Sequence, residues 1–72
     1  MKTKEELGAR LKKCRLMNKM TQAEVAEILG VAQPVYQRFE KGVYECSYAQ
    51  LSKLCDIFDV SADYMLGRDN YS

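Results

Sequence analysis

Two amides and two cations, Gln33, Gln37, Arg38 and Lys41, fall within one short stretch, "QPVYQRFEK". Glutamine can bond an adenine edge at two points, arginine a guanine edge, and lysine a phosphate. At about 100° per helical residue, these four and Pro34 share one arc of a helix, roughly 0° to 140° from Gln33. Val35, Tyr36 and Phe39 fall on the opposite side, with Glu40 at its margin. Such a face suits nucleic-acid contact. It equally suits plain solvation, which is what most polar helix faces serve.

Other chemistries have less to work with. The chain contains no histidine, no glycine-rich phosphate loop and no nucleophile beside a base, which argues against an enzyme. Its carboxylates are scattered. Cys14, Cys46 and Cys55 form no CxxC pair, and zinc needs about four ligands. No metal and no cofactor is expected. An odd cysteine count argues against a disulfide framework. Cys14 and Cys55 read as small core residues, whereas Cys46 falls in a loop, where exposure and a redox role stay open.

The elements that must hold that polar arc are helices. Apolar residues recur at helical spacing, and no segment alternates for long enough to make a strand. The first helix runs from about Lys4 to Met17, with Leu7, Leu11 and Cys14 on one stripe. Thr21 caps the second, and Glu24 completes a capping box. That helix buries Val25, Ala26 and Leu29 and stops at Gly30. The third runs from about Gln33 to Lys41, with Gly42 as its stop. Ser47 caps a fourth carrying Leu51, Leu54, Cys55 and Phe58, and Ser61 caps a short fifth ending at Leu66 and Gly67.

Two residues separate the second helix from the third. Gly30 supplies a left-handed turn at no Cβ penalty. Pro34 sits in a first turn, where a missing amide hydrogen costs little. Ala32 stands where a serine or threonine cap is usual, which weakens that end by about 1 kcal/mol.

The 72 residues predict a single domain with a small core. No separate sensing domain is expected in a chain of this length. Net charge is +1 but unevenly spread: residues 1–20 hold seven basic and two acidic side chains, residues 43–72 two basic and five acidic. A basic end can steer one face toward a polyanion. No apolar run reaches membrane-spanning length. The charged start "MKTKEELGAR" is unlike a secretory signal, so a cytoplasmic protein without membrane contact is expected.

Gln22, Ala26, Gly30, Val31 and Tyr36 stand in helix-turn-helix spacing. With "LKKCR", "MTQAEVAEILGV", "YQRFEKG", "LSKLCDIFDVS" and "DYMLG", the chain resembles the lambda-repressor-like (Xre/Cro) family from about residue 7 to 67. The resemblance implies an all-α, five-helix DNA-binding domain whose second and third helices form the helix-turn-helix. It implies that Gln33, Pro34, Gln37 and Arg38 face base edges. Thr21, Gln22, Lys41, Val43 and Tyr44 are then expected along the phosphate backbone, and Arg15 and Glu40 as a structural ion pair joining the first helix to the third. Four residues depart from the family pattern: Lys19 for a glycine, Tyr36 for Ile or Val, Cys46 for a proline, and Pro34, which offers a base only apolar contact.

The implied function is sequence-specific transcriptional regulation, as a repressor binding double-stranded DNA as a homodimer on an inverted repeat. The alternative is a protein-interaction module, an antitoxin or a subunit pairing with a toxin or other partner. Tyr64, Met65 and Tyr71 offer apolar surface that suits a dimer contact, or equally an aromatic that closes the edge of the core.

Overall fold

The computed structural model describes residues 4–67. Five helices follow one another: α1 Lys4–Met17, α2 Gln22–Leu29, α3 Gln33–Lys41, α4 Tyr48–Phe58 and α5 Ala62–Met65. There is no strand among the described residues.

Side-chain caps fix where these helices begin. Thr21 Oγ1 accepts the Glu24 amide at 3.1 Å, and Glu24 Oε1 accepts the Thr21 amide at 2.8 Å. Ser47 and Gln50 make the same reciprocal pair at 3.1 and 2.9 Å. Ser61 Oγ accepts the Tyr64 amide at 3.0 Å. Only α3 among these capped helices lacks the device: Ala32 makes no side-chain cap bond, and Pro34 sets the first turn instead.

The ends use left-handed residues. Gly30 has φ 86° after α2, and its amide donates to the Ala26 and Glu27 carbonyls. Gly42 closes α3 in the same way. Lys19 and Asp59 adopt φ 55° and 56° without being glycines. That conformation costs an L-residue roughly 1–2 kcal/mol. After α1 the cost is partly offset, because Asn18 Nδ2 donates to the Cys14 carbonyl at 2.8 Å.

Each helix gives one fully buried side chain to the core: Leu11, Val25, Tyr36, Leu54 and Met65. Phe39 meets the Tyr36 ring edge-on, with centroids 6.4 Å apart. Helix α3 packs against α1 and α2, and α4 packs against α2 and α5. The core therefore grips α3 from behind.

The dimer-surface expectation is corrected here. Met65 is fully buried, so it cannot present a dimer surface; closing a core this small takes the apolar side chain of even a four-residue helix. Tyr64 is half-buried against that core, with the Arg10 guanidinium 4.9 Å from its ring. Tyr71 lies outside the described residues. Cys46 is half-buried and packed on the core, and burial pushes its thiol up to about 11. It is a poor thiolate and a poor redox sensor at neutral pH. Cys14 and Cys55 are buried, with thiols also raised by burial.

Candidate nucleic-acid interface

With Tyr36 and Phe39 turned into the core, the opposite side of α3 is left to solvent. Gln33, Pro34, Arg38 and Lys41 are exposed there, and Gln37 is half-buried. The helix is held rigid behind this face by a buried electrostatic clamp. Arg15 Nε donates to Glu40 Oε2 at 2.7 Å, and a second guanidinium nitrogen donates to Oε1 at 3.2 Å. The third reaches the Met20 carbonyl at 3.0 Å. The two side chains retain only 11% and 4% of their exposure.

Gln22, at the start of α2, completes the clamp. Its Nε2 donates to Glu40 Oε1 at 3.1 Å. One carboxylate thus ties α1, α2 and α3 together. Burial alone would raise the Glu40 carboxyl. Hydrogen bonds from Arg15 and Gln22, with the nearby Tyr36 hydroxyl, outweigh it and hold the group below its ordinary value. The Glu40 hydrogen bond in turn raises Arg15. The Tyr36 hydroxyl is buried beside this pair without a hydrogen bond of good geometry. Desolvation first, and then the Glu40 charge, push it well above the usual phenol range.

The backbones of α1 and α3 come very close at this junction. A Cβ added at Gly8 would meet the carbonyl oxygens of Phe39 and Glu40, the former at 2.6 Å. Only glycine fits in that crossing. Nothing in the local sequence marks it, because a glycine inside a helix looks like a weak point.

In front of the clamp an open cleft of about 520 Å³ joins the start of α2 to both ends of α3. Lys12, Thr21, Gln22, Gln33 and Lys41 line it. The first amides of α2 have no intrahelical acceptor and carry the positive end of the helix dipole. Arg15 and the Glu40 carboxylate also line the cleft, but Lys12, Arg15 and Lys41 outnumber that one acid, so it suits an oxyanion such as a phosphate. In the sequence Lys12 carries no role of its own; it stands only within the basic N-terminal segment and the stretch "LKKCR".

Beyond α3, Val43 and Tyr44 are exposed in the loop before α4. Their amides donate back to the Arg38 carbonyl at 3.0 and 3.4 Å. The Arg38 guanidinium lies 5.5 Å from the Tyr44 ring centre. The structure thus brings Gln33, Pro34, Arg38 and Lys41 onto one surface. It sets Thr21 and Gln22 at the cleft and gives Gln22 an internal partner. Among the described residues no three of His, Cys, Asp and Glu group to hold a metal ion. No described helix is long and apolar enough to cross a membrane.

Comparison with known proteins adds to this geometry. A helix-turn-helix family model matches residues 11–65, a span that begins and ends on the buried Leu11 and Met65. The chain is 45% identical over 56 residues to YqaE, an uncharacterized HTH-type transcriptional regulator of Bacillus subtilis (strain 168). That match covers 78% of this chain and 48% of YqaE. The HTH-type transcriptional regulator ImmR of the same organism is 36% identical over 66 residues, covering 92% of this chain and 52% of ImmR. The chain spans about half the length of these curated relatives. Among solved structures, the clp gene regulator ClgR from C. glutamicum shares the fold with a TM-score of 0.81 at 29% identity, over 90% of this chain and 84% of that one.

Proposed function

Because the chain belongs to the lambda-repressor-like (Xre/Cro) helix-turn-helix family, we propose that it is a DNA-binding transcriptional regulator that reads the major groove with α3. One observation carries this reading: a polar, cationic helix face left free beside a cationic cleft, on a helix locked from behind. Gln33, Pro34, Gln37 and Arg38 meet base edges. Thr21, Gln22, Lys41, Val43 and Tyr44 follow the phosphate backbone, which positions the helix without specifying sequence.

The same reading makes it a repressor, acting in the cytoplasm as a homodimer, and a binding protein with no catalytic role. Two copies place their α3 helices about 34 Å apart, one turn of DNA, so the preferred site is an inverted repeat. Selection of bound duplexes from a random pool tests this. An enriched inverted repeat supports it; enrichment of no sequence sinks it.

A second reading rests on apolar side chains left in solvent. Leu16 and Met17 at the end of α1 are 55% and 71% exposed, and Ile28 on α2 is 50% exposed. They support a protein-interaction subunit, such as an antitoxin, in which DNA is secondary. A toxin or other protein that co-purifies in fixed stoichiometry, with no enriched duplex, favours it.

A further inference from the structure

We propose that Tyr44 is a positioning residue for Arg38 and so sets how sharply the protein discriminates at the base pair Arg38 reads. The inference rests on the DNA-reading assignment above and gives Tyr44 a role different from a backbone contact. Arginine is long and rotamer-rich, and Arg38 stands exposed. An unrestrained guanidinium there samples many poses, few of which fit a base edge. The structure supplies a restraint. The Arg38 carbonyl accepts the Val43 and Tyr44 amides at 3.0 and 3.4 Å, and the loop so anchored carries the Tyr44 ring back to the Arg38 guanidinium, 5.5 Å from ring centre to carbon. The same residue is held at its backbone and at its side-chain tip.

A guanidinium over an aromatic face is attracted by the ring's quadrupole. A guanidinium carries five N–H donors, so one that rests against a ring still has donors for the paired bonds to guanine. Tyr44 and its neighbour Tyr48 make an internal contrast. Tyr48 is 85% exposed, against 45% for Tyr44, and it has no Arg partner among the described contacts. A tyrosine that only brushed the DNA backbone would act through its hydroxyl. A positioning tyrosine acts through its ring.

The test compares wild type, Tyr44→Phe, Tyr44→Leu, Arg38→Ala, the Arg38→Ala/Tyr44→Leu double variant and Tyr48→Leu. Each is titrated against the duplex that wild type selects and against its single base-pair variants, at several salt concentrations. Melting curves confirm that each is folded. Tyr44→Phe is expected to keep both affinity and discrimination. Tyr44→Leu is expected to lose about 2- to 5-fold of discrimination, the size of an exposed cation–π contact. The loss falls at the base pair where Arg38→Ala also relaxes, with the salt slope unchanged. The double variant then behaves like Arg38→Ala alone, and Tyr48→Leu like wild type. The proposal is overturned if Tyr44→Phe is as damaging as Tyr44→Leu, or if Tyr44→Leu weakens all duplexes alike or changes nothing. It is also overturned if losses add in the double variant. If wild type selects no sequence, the DNA-reading assignment itself has failed. Normal selection with Tyr44 independent of Arg38 overturns this inference alone.

Discussion

Helix α3 has two electrostatic faces of opposite character. On its inner face Glu40 is sealed beneath Arg15 and Gln22 with 4% of its side chain exposed. At its outer face Arg38 stands in solvent with one aromatic neighbour. Both are ion-bearing side chains on the same nine-residue helix. The inner one is fully committed to the fold, and the outer one has hydrogen-bonding capacity to give away. A buried charge must be matched within the protein, whereas an exposed guanidinium keeps its donors for a partner. On the proposed reading, stability and recognition are therefore separable across the two faces of α3.

The hardest way to break this contrast is to cut the clamp. Glu40→Ala leaves the largely buried Arg15 with the Met20 carbonyl as its remaining partner, and is expected to cost up to about 3 kcal/mol, the low end for breaking a buried pair. Urea melts measure it; a wild-type midpoint would show that the clamp is not buried in solution. The same residue sets an acid limb. Its folded pKa lies below its unfolded one. Its contribution is therefore complete above the ordinary value of 4.5 and is lost as pH falls through the depressed folded value. Melts of wild type should weaken from about pH 5 downward, with a shallower slope in Glu40→Gln.

Gly8→Ala attacks the same junction sterically. It improves helix propensity, yet its Cβ meets α3 backbone that cannot swing aside. The expected net loss is about 1–3 kcal/mol, the range for overpacking. A stabilised variant would mean that the two backbones can separate freely.

On the outer side the expectation inverts. Arg38→Ala should leave stability within about 0.5 kcal/mol yet lose about 1–3 kcal/mol of binding at the selected site, relaxing one base pair. Lys41→Ala should weaken all duplexes alike and make the salt slope shallower by about one unit. Paired melts and salt titrations would expose any leakage between the two sides. The smallest effect isolates backbone from packing: Lys19→Gly removes left-handed strain and should gain up to about 1 kcal/mol, with DNA binding unchanged.

Local signals made most of the fold legible. Capping boxes at Thr21 and Ser47, the turn at Gly30 and the stop at Gly42 are each encoded within four or five residues. Such signals place helix ends well, and the five helices stand where those signals put them. What sequence could not reveal depends on residues distant in the chain. Gly8 is required by a carbonyl over thirty positions away. Met65 was read as surface because a four-residue helix is too short to display a buried stripe. The polar arc of α3 was readable from periodicity. The bond from Gln22 to Glu40 and the approach of Arg38 to the Tyr44 ring were not, since each needs the distance between two elements.

The five fully buried side chains, one from each helix, have a consequence for how the molecule comes apart. No subset of helices holds a complete core, and a nine-residue helix has little helicity on its own. Unfolding should therefore be one all-or-none event, with the slowest-exchanging amides of different helices sharing a single opening free energy. A truncation that removes Met65 is therefore expected to unfold α3 together with the other helices. On the DNA-reading proposal, a half-degraded copy would then present no ordered α3 face and would not occupy DNA as a faulty competitor.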